Sequence, residues 1–152
     1  MNRRLNSSGK DWGRGLTFHV FLPIAAGAAI YLLFRSTGLR VFSWVNSMGL
    51  MPFVSDLRTL VANVTLPDII LYSLPDAAWV YATTCAMTIV CSSTRSVSRK
   101  AWVSSGLSLS IGGELAQAAG VLPGTFDRVD VILSCLAFLL AQKLFGKRCD
   151  CA

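Results

Sequence analysis

Two polar segments stand out because they place carboxylate and amide side chains within apolar stretches. The first is Gly113-Glu114-Leu115-Ala116-Gln117, which interrupts an apolar run of helical length. The second is Gly124-Thr125-Phe126-Asp127-Arg128-Val129-Asp130, which opens the next apolar run. A carboxylate inside a bilayer costs about 2.5–3.5 kcal/mol on insertion scales. These side chains are therefore expected to be paired, to cap a helix or to form a functional site.

The spacing of these residues predicts that they gather in one place. Glu114 and Gln117 are three residues apart and share one face of a helix, and so do Asp127 and Asp130. The intervening loop, about residues 120–126, is short, so we expect the two faces to meet. The candidate site is either a ligand-binding site or a buried polar cluster, and it consists of Glu114, Gln117, Asp127, Asp130, Asp76 and Arg128.

Helix capping and ion pairing are the competing interpretations of these residues. The three aspartates lie where helices are predicted to begin, so they are explained by complementing the helix dipole. Ser73 with Asp76 resembles a capping box, with Asp in place of the usual Glu or Gln. Glu114 lies within its run and cannot cap it. Pairing with Arg128 or Arg58 would make Glu114 part of a structural ion pair; otherwise it is expected to bind a headgroup, a cation or a proton.

Few other residues offer catalytic or metal-binding chemistry. The single histidine, His19, lies near the inner end of the first apolar run and far from the acidic segments, so a shared metal site is not expected. Cys149 and Cys151 provide two soft ligands, whereas a structural zinc requires four. No Ser/His/Asp arrangement is evident. We expect no metal and no cofactor, and we favour a protein without enzymatic activity while leaving that question open.

The composition is typical of a membrane domain. The chain has 152 residues, of which 53% are hydrophobic and 14% are charged, against roughly 25% charged residues in soluble domains. The net charge of +6 does not indicate nucleic-acid binding, because the basic residues lie at the ends of apolar runs. We therefore predict a single membrane domain over residues 1–152, with membrane lipids as partners.

Four apolar runs are long enough to span a membrane or nearly so, at about residues 16–34, 74–92, 101–119 and 129–145. The first run is longer than the apolar part of a signal peptide, so we expect it to be retained. The third is rich in small residues and is predicted to be the central packing helix. Residues 41–72 have the amphipathic pattern of an interfacial segment. The predicted fold class is an all-α integral membrane four-helix bundle with an amphipathic outer-face segment.

The positions of the basic residues predict the orientation of these helices. With the N-terminus in the cytoplasm, ten of the fourteen Lys and Arg residues lie on the cytoplasmic side and four on the outer side. An even number of spans returns the C-terminus to the cytoplasm. Both acidic segments then lie at the outer face of the membrane.

Glu114-Leu115-Ala116-Gln117, followed by Asp127-Arg128-Val129-Asp130 at the start of a last helix, resembles the VanZ-like family of small bacterial multi-pass membrane proteins. The resemblance covers about residues 66–140, with Leu74-Pro75-Asp76-Ala77-Ala78-Trp79 as an earlier matching piece. Gly124-Thr125-Phe126 stands where that family tends to have an arginine. The namesake of the family is linked to resistance to lipid-linked glycopeptide antibiotics. The resemblance therefore implies a multi-pass protein of the bacterial inner (plasma) membrane with a role in the cell envelope.

Three functional hypotheses follow from these observations. In the first, a polar pocket in the outer leaflet recognises an envelope lipid headgroup, an antibiotic or a peptide, or protects against one, without covalent chemistry. In the second, the chain is a membrane interaction subunit or an immunity protein, with a protein partner or a second copy of itself. In the third, it is an enzyme acting on lipid-linked substrates with a carboxylate cluster that binds a divalent cation.

Overall fold

The chain folds into helices joined by turns and loops. The computed structural model describes residues 17–91 and 97–145, and these contain no strand. The prediction of an all-α fold is confirmed. The basic N-terminal segment, Arg95, Cys149 and Cys151 lie outside the described residues. The α-helices are α1 (Leu22–Phe34), α2 (Arg40–Ser47), α3 (Met51–Leu60), α4 (Leu74–Val90), α5 (Val97–Ala118) and α6 (Arg128–Phe145).

Five-residue π-helical turns lead into α1 and α4, at Thr17–Phe21 and Ile69–Ser73. In both cases a proline is the second residue of the α-helix that follows. Because the π turn runs directly into α4, Ser73 has helical dihedral angles (φ −91°, ψ −32°) and makes no side-chain cap within the described chain. The predicted capping box of Ser73 with Asp76 is therefore wrong.

The boundaries of two predicted segments differ from the observed ones. α5 begins at Val97, before the predicted start near residue 101, since Arg99 and Lys100 are good helix formers and need not end a helix. The segment predicted to lie in the membrane interface, about 41–72, contains α2, α3 and the second π turn. Phe42 is the buried residue of α2 and Val54 that of α3, whereas Trp44 and Phe53 are exposed.

α4 is the central helix of the fold. It packs against α1, α5 and α6, whereas α5 makes its main contacts with α4 and α6. The prediction that the small-residue helix α5 is central is therefore wrong. α4 can occupy the centre because its residues are buried on several sides and are mostly small. These buried residues are Pro75, Ala77, Val80, Ala82, Thr84, Cys85, Thr88 and Ile89.

The interior of the bundle combines apolar side chains with several buried hydroxyl groups, while its outward faces carry many large apolar side chains. Leu109 on α5 is 77% exposed, and Ile132, Leu136 and Leu139 on α6 are 57%, 56% and 61% exposed. Such exposure is unusual in a soluble domain, where Leu and Ile are among the residues most often buried. The largest fully buried side chains are Thr84, Thr88, Cys85 and Ser134.

Within the described residues, one helical stretch is long and apolar enough to cross a membrane by length and composition. It is Thr17–Phe34, with 18 residues, a mean hydropathy of 1.8 and 11% of its length buried inside the protein. A signal sequence near the N-terminus would have the same properties. The prediction of four spanning helices stays a prediction.

An apolar cluster closes the end of the bundle where α1 begins and α4 and α6 end. It contains Val20, Cys85, Ile89, Ala141 and Phe145. His19 lies against this cluster, with Nδ1 2.7 Å from the Tyr81 hydroxyl and its ring edge-on to that of Phe145 at 4.8 Å. His19 thus has a structural environment at this end, while the acidic residues lie at the starts of α4 and α6.

The contact between α4 and α5 depends on Gly106. A Cβ at this position would lie 3.1 Å from Cβ of Thr83. We expect Gly106→Leu to lower the free energy of unfolding by about 1–3 kcal/mol, because the two helices must separate to admit the side chain. Gly112→Leu is the matched control, because no described atom of another element lies within 4 Å of a Cβ there. Thermal unfolding in detergent measures the stability of both variants. Equal destabilisation by Gly106→Leu and Gly112→Leu would contradict a close contact of α4 with α5 at Gly106.

Candidate functional site

A cavity of about 810 Å³ lies at the end of the bundle where α1 and α5 end and α4 and α6 begin. Helices α4, α5 and α6 contribute to it, together with Arg35 directly after α1, the second π turn and the loop between α5 and α6. Its size is within the range of ordinary ligand pockets. The lining residues are Arg35, Leu39, Asp68, Ile69, Tyr72, Ser73, Asp76, Glu114, Gln117, Pro123, Gly124, Thr125, Asp127, Val129 and Asp130.

Glu114 is the buried acid of this cavity. It is 8% exposed, and its Oε2 accepts a hydrogen bond of 3.0 Å from the backbone N–H of Asp127. Asp127 immediately precedes α6, so Glu114 satisfies a donor at the start of the next helix. The sequence excluded Glu114 as a cap of its own helix, and the structure shows that it supports the start of another. A carboxylate at that position also complements the positive end of the α6 dipole.

Asp127 and Asp130 have different environments although both lie near the start of α6. Oδ1 of Asp127 accepts the N–H of Val129 at 2.8 Å, which is the N-cap contact expected of an aspartate. The capping interpretation is confirmed for Asp127. Asp130 is partly buried, and its Oδ1 exposes less than 1 Å² without a hydrogen-bond partner among the described residues. Capping does not explain this oxygen.

Gln117 packs against the loop that closes the cavity. α5 ends in a turn in which the N–H groups of Gly120 and Val121 bond to the carbonyls of Gln117 and Ala116, at 3.0 and 2.8 Å. Gly120 has a φ of +71°, as is usual just after a helix end. Gly124 then adopts a φ of +141°, and a Cβ there would lie 2.8 Å from Cδ of Gln117. The absent side chain of Gly124 thus makes room for the Gln117 amide.

Arg35 provides the guanidinium in the cavity lining, and sequence reasoning missed it as a site residue. Its Cζ lies 4.6 Å from the ring centroid of Tyr72 and 5.1 Å from that of Tyr31, within the range of cation–π attraction. It makes no ion pair with another residue that the structure describes. A signal was present in the sequence: Arg35 ends the first apolar run, at the same predicted face as the acidic segments.

Neither arginine proposed as a partner of Glu114 pairs with it. Arg128 is exposed and does not line the cavity, so the structure separates it from the other five candidate residues. Nη1 of Arg58 donates to the carbonyls of Leu32 and Arg35 at 2.7 and 2.9 Å, which ties α3 to the end of α1. Of the alternatives left open for Glu114, the ion pair with Arg128 or Arg58 is therefore not formed among the described residues.

Negative charge predominates in the cavity. Asp76, at the start of α4, experiences repulsion from Asp130 and Glu114 and attraction from Arg35. Asp68 and Asp127 also line the space. Arg35 is thus one cation beside five carboxyl groups. The arrangement suits a ligand that carries positive charge, and Arg35 offers a separate place for an anionic group.

No group of three or more His, Cys, Asp or Glu side chains among the described residues is placed to hold a metal ion. The enzyme hypothesis relied on a divalent cation held by carboxylates. Residues 17–91 and 97–145 therefore contain no set of three side chains that could hold the cation this hypothesis requires.

The fold and the site define a class: a small all-helical protein with apolar outer faces and an acidic cavity at one end of its bundle. Comparison with protein-family models found no match, and comparisons with curated proteins and with solved structures found none either. The resemblance to the VanZ-like family stays a prediction.

Proposed function

We propose that this chain is a multi-pass protein of a bacterial inner membrane whose outer-face cavity recognises a polar lipid headgroup or an envelope-directed antibiotic. In this proposal the four long helices span the membrane and both termini are cytoplasmic. Recognition involves binding without covalent change. The resemblance of the Glu114 and Asp127–Asp130 segments to the VanZ-like family supports an envelope role.

The observation that carries this proposal is the apolar outer surface of the bundle. Water does not favour the outward row of Ile132, Leu136 and Leu139 on α6, the helix that buries Ser134 together with Ala141 and Phe145. Hydrocarbon does, since lipid is as apolar as leucine and small or hydroxyl-bearing residues promote helix contact. Ser134 hydrogen-bonds to Ser110 of α5 at 2.9 Å between hydroxyl oxygens, which is the kind of interhelical bond found in membrane bundles.

The position of the cavity supports recognition at the membrane surface. Asp76, Asp130 and Arg35 lie at the ends of their helices, where side chains reach the headgroup region. The amphipathic helices α2 and α3 leave Trp44 and Phe53 exposed near the same end of α1. Tryptophan is enriched at membrane interfaces, so these helices suit a position along the outer surface.

Reporter fusions test the proposed topology. Reporters at residue 97 and after residue 152 are expected to indicate the cytoplasm, and one at residue 122, between α5 and α6, the outer side. The physical reason is the excess of Lys and Arg on the predicted inner side. An outer-side signal at residue 97 or 152 would overturn the topology and the outer-face position of the cavity.

A membrane interaction subunit is the second candidate, and one feature of α5 favours it. Gly112 and Gly113 have no described atom of another element within 4 Å of where a Cβ would lie. Two adjacent small residues without a neighbour permit close approach of another helix. Copurification from mild detergent distinguishes the candidates: a stoichiometric protein partner favours the subunit, whereas bound lipid alone favours headgroup recognition.

A further inference from the structure

We propose that the cavity binds a phosphoethanolamine group, with the phosphate on Arg35 and the ammonium against Asp130, Glu114 and Asp76. This inference rests on the proposed function and specifies its ligand chemistry. The group is available from two sources, the headgroup of phosphatidylethanolamine and the free compound glycerophosphoethanolamine. Its phosphate complements the guanidinium of the cavity, and its ammonium complements the carboxylates that lie at a separate position.

The ammonium position is defined by a carboxylate oxygen that lacks a donor. Oδ1 of Asp130 is buried and has no hydrogen-bond partner in the described chain. A buried acceptor left unpaired carries a desolvation penalty, which a bound N–H donor would remove once the carboxylate turns toward the cavity that Asp130 lines. Glu114 lines the same cavity and is buried, with Oε2 occupied by the Asp127 N–H. The carboxyl group of Asp76 interacts electrostatically with both Asp130 and Glu114. A primary ammonium has three N–H donors for such acceptors.

The phosphate position is defined by the guanidinium of Arg35. The rings of Tyr72 and Tyr31 hold it at 4.6 and 5.1 Å, while its N–H groups are unused by any described side chain. A planar guanidinium presents a fork of donors that matches phosphate oxygens. Arg35 and Asp76 interact electrostatically and line the same cavity, so the two positions adjoin. A ligand with a short linker between its charges can reach both.

The unpaired oxygen of Asp130 predicts discrimination between ethanolamine and choline. The trimethylammonium of choline carries the same charge but has no N–H donor. It would leave Asp130 Oδ1 unpaired, and sites built to hydrogen-bond a donor reject analogues that lack it. We expect the choline compound to bind at least about tenfold more weakly than the ethanolamine compound. Glycerol 3-phosphate, which has no amine, is expected to bind more weakly still.

The experiment measures binding to the full-length purified chain. Titration calorimetry in detergent compares glycerophosphoethanolamine, glycerophosphocholine and glycerol 3-phosphate. Native mass spectrometry compares retention of phosphatidylethanolamine and phosphatidylcholine from equimolar nanodiscs. A preference for ethanolamine with the lipids alone assigns the ligand to the membrane, and a preference with the soluble compounds alone assigns it to the free form. Absence of the preference in both measurements would overturn the proposal.

Variants with matched controls test whether Asp130 binds the ammonium and Arg35 the phosphate. Asp130→Asn is expected to reduce ethanolamine binding at least about tenfold, and Asp56→Asn, an exposed aspartate on α3, to leave it unchanged. Arg35→Gln is expected to weaken all phosphate-bearing ligands, with Arg40→Gln as its control. Thermal unfolding verifies that each variant is folded. Should Asp130→Asn fail to fold, the preference of the unaltered chain still decides the question.

The binding measurements and the reporter fusions test the ligand and the topology independently. A chain that gives the expected topology with reporter fusions but shows no ethanolamine preference overturns only this inference. A chain that shows the preference but places residue 97 outside overturns the proposed outer-face recognition.

Discussion

Replacing Glu114 with alanine is expected to lower the free energy of unfolding by about 1.5–3 kcal/mol, because a buried charged acceptor and its hydrogen bond are lost together. Glu114 is the only glutamate in the chain, and its Oε2 accepts the Asp127 N–H at 3.0 Å. Without it, the donor at the start of α6 loses its partner in a partly buried position. The negative charge near the positive end of the α6 dipole is lost as well.

Glu114→Gln separates the structural role of this residue from its role in recognition. The glutamine amide keeps an oxygen that can accept the Asp127 N–H, although a neutral acceptor makes a weaker bond. We therefore expect Glu114→Gln to keep about half or more of the free energy of unfolding that Glu114→Ala loses. It removes one of the negative charges that would attract a cationic ligand. We therefore expect a folded protein at normal membrane abundance that has lost recognition.

Two measurements on the same preparations check both expectations. Thermal unfolding in detergent gives the stability of Glu114→Ala, Glu114→Gln and the control Asp56→Ala, whose aspartate is exposed. Titration with glycerophosphoethanolamine gives the effect on binding. If Glu114→Gln is as unstable as Glu114→Ala, the hydrogen bond to Asp127 is not what stabilises the start of α6. If Glu114→Gln binds normally, its charge has no part in recognition.

Gly124→Ala is expected to destabilise the protein by about 2–3 kcal/mol and to disturb the cavity. Two costs combine at this position. The φ of +141° is one that residues with a Cβ rarely adopt, and the added Cβ would lie 2.8 Å from Cδ of Gln117. Either the Gln117 side chain or the loop must move, and both line the cavity. Ligand binding should therefore weaken along with stability.

Gly120→Ala is the matched control for the backbone part of this effect. Gly120 also has a positive φ, +71°, but no described atom outside its immediate surroundings lies within 4 Å of a Cβ there. Its cost should be limited to the conformational strain of about 1 kcal/mol. The double variant Gly124→Ala with Gln117→Ala should recover part of the loss, because the clash is then removed. Strictly additive effects of the two substitutions would contradict a direct contact between them.

Five of the six candidate residues line the cavity, and the reason that their proximity was predictable is local. Glu114 and Gln117 share a helix face at a spacing of three residues, and the loop that follows is too short to separate them from the start of α6. Arg128 was misassigned because neighbouring helical residues point about 100° apart. That rotation directs Arg128 to solvent while Asp127 and Asp130 line the cavity. Sequence spacing alone did not fix which of the three faced inward.

The sequence by itself determined the long helices, because apolar runs of this length and their flanking prolines and glycines are local properties of the chain. It also determined that Glu114 needed a partner, since an isolated buried carboxylate is costly. Only the tertiary structure decided that the partner is a backbone N–H of the next helix, that α4 rather than α5 occupies the centre, and that Arg35 joins the acidic residues. These three facts depend on which faces of distant helices meet. That is set by the packing of the whole bundle, which a pattern within one segment does not contain.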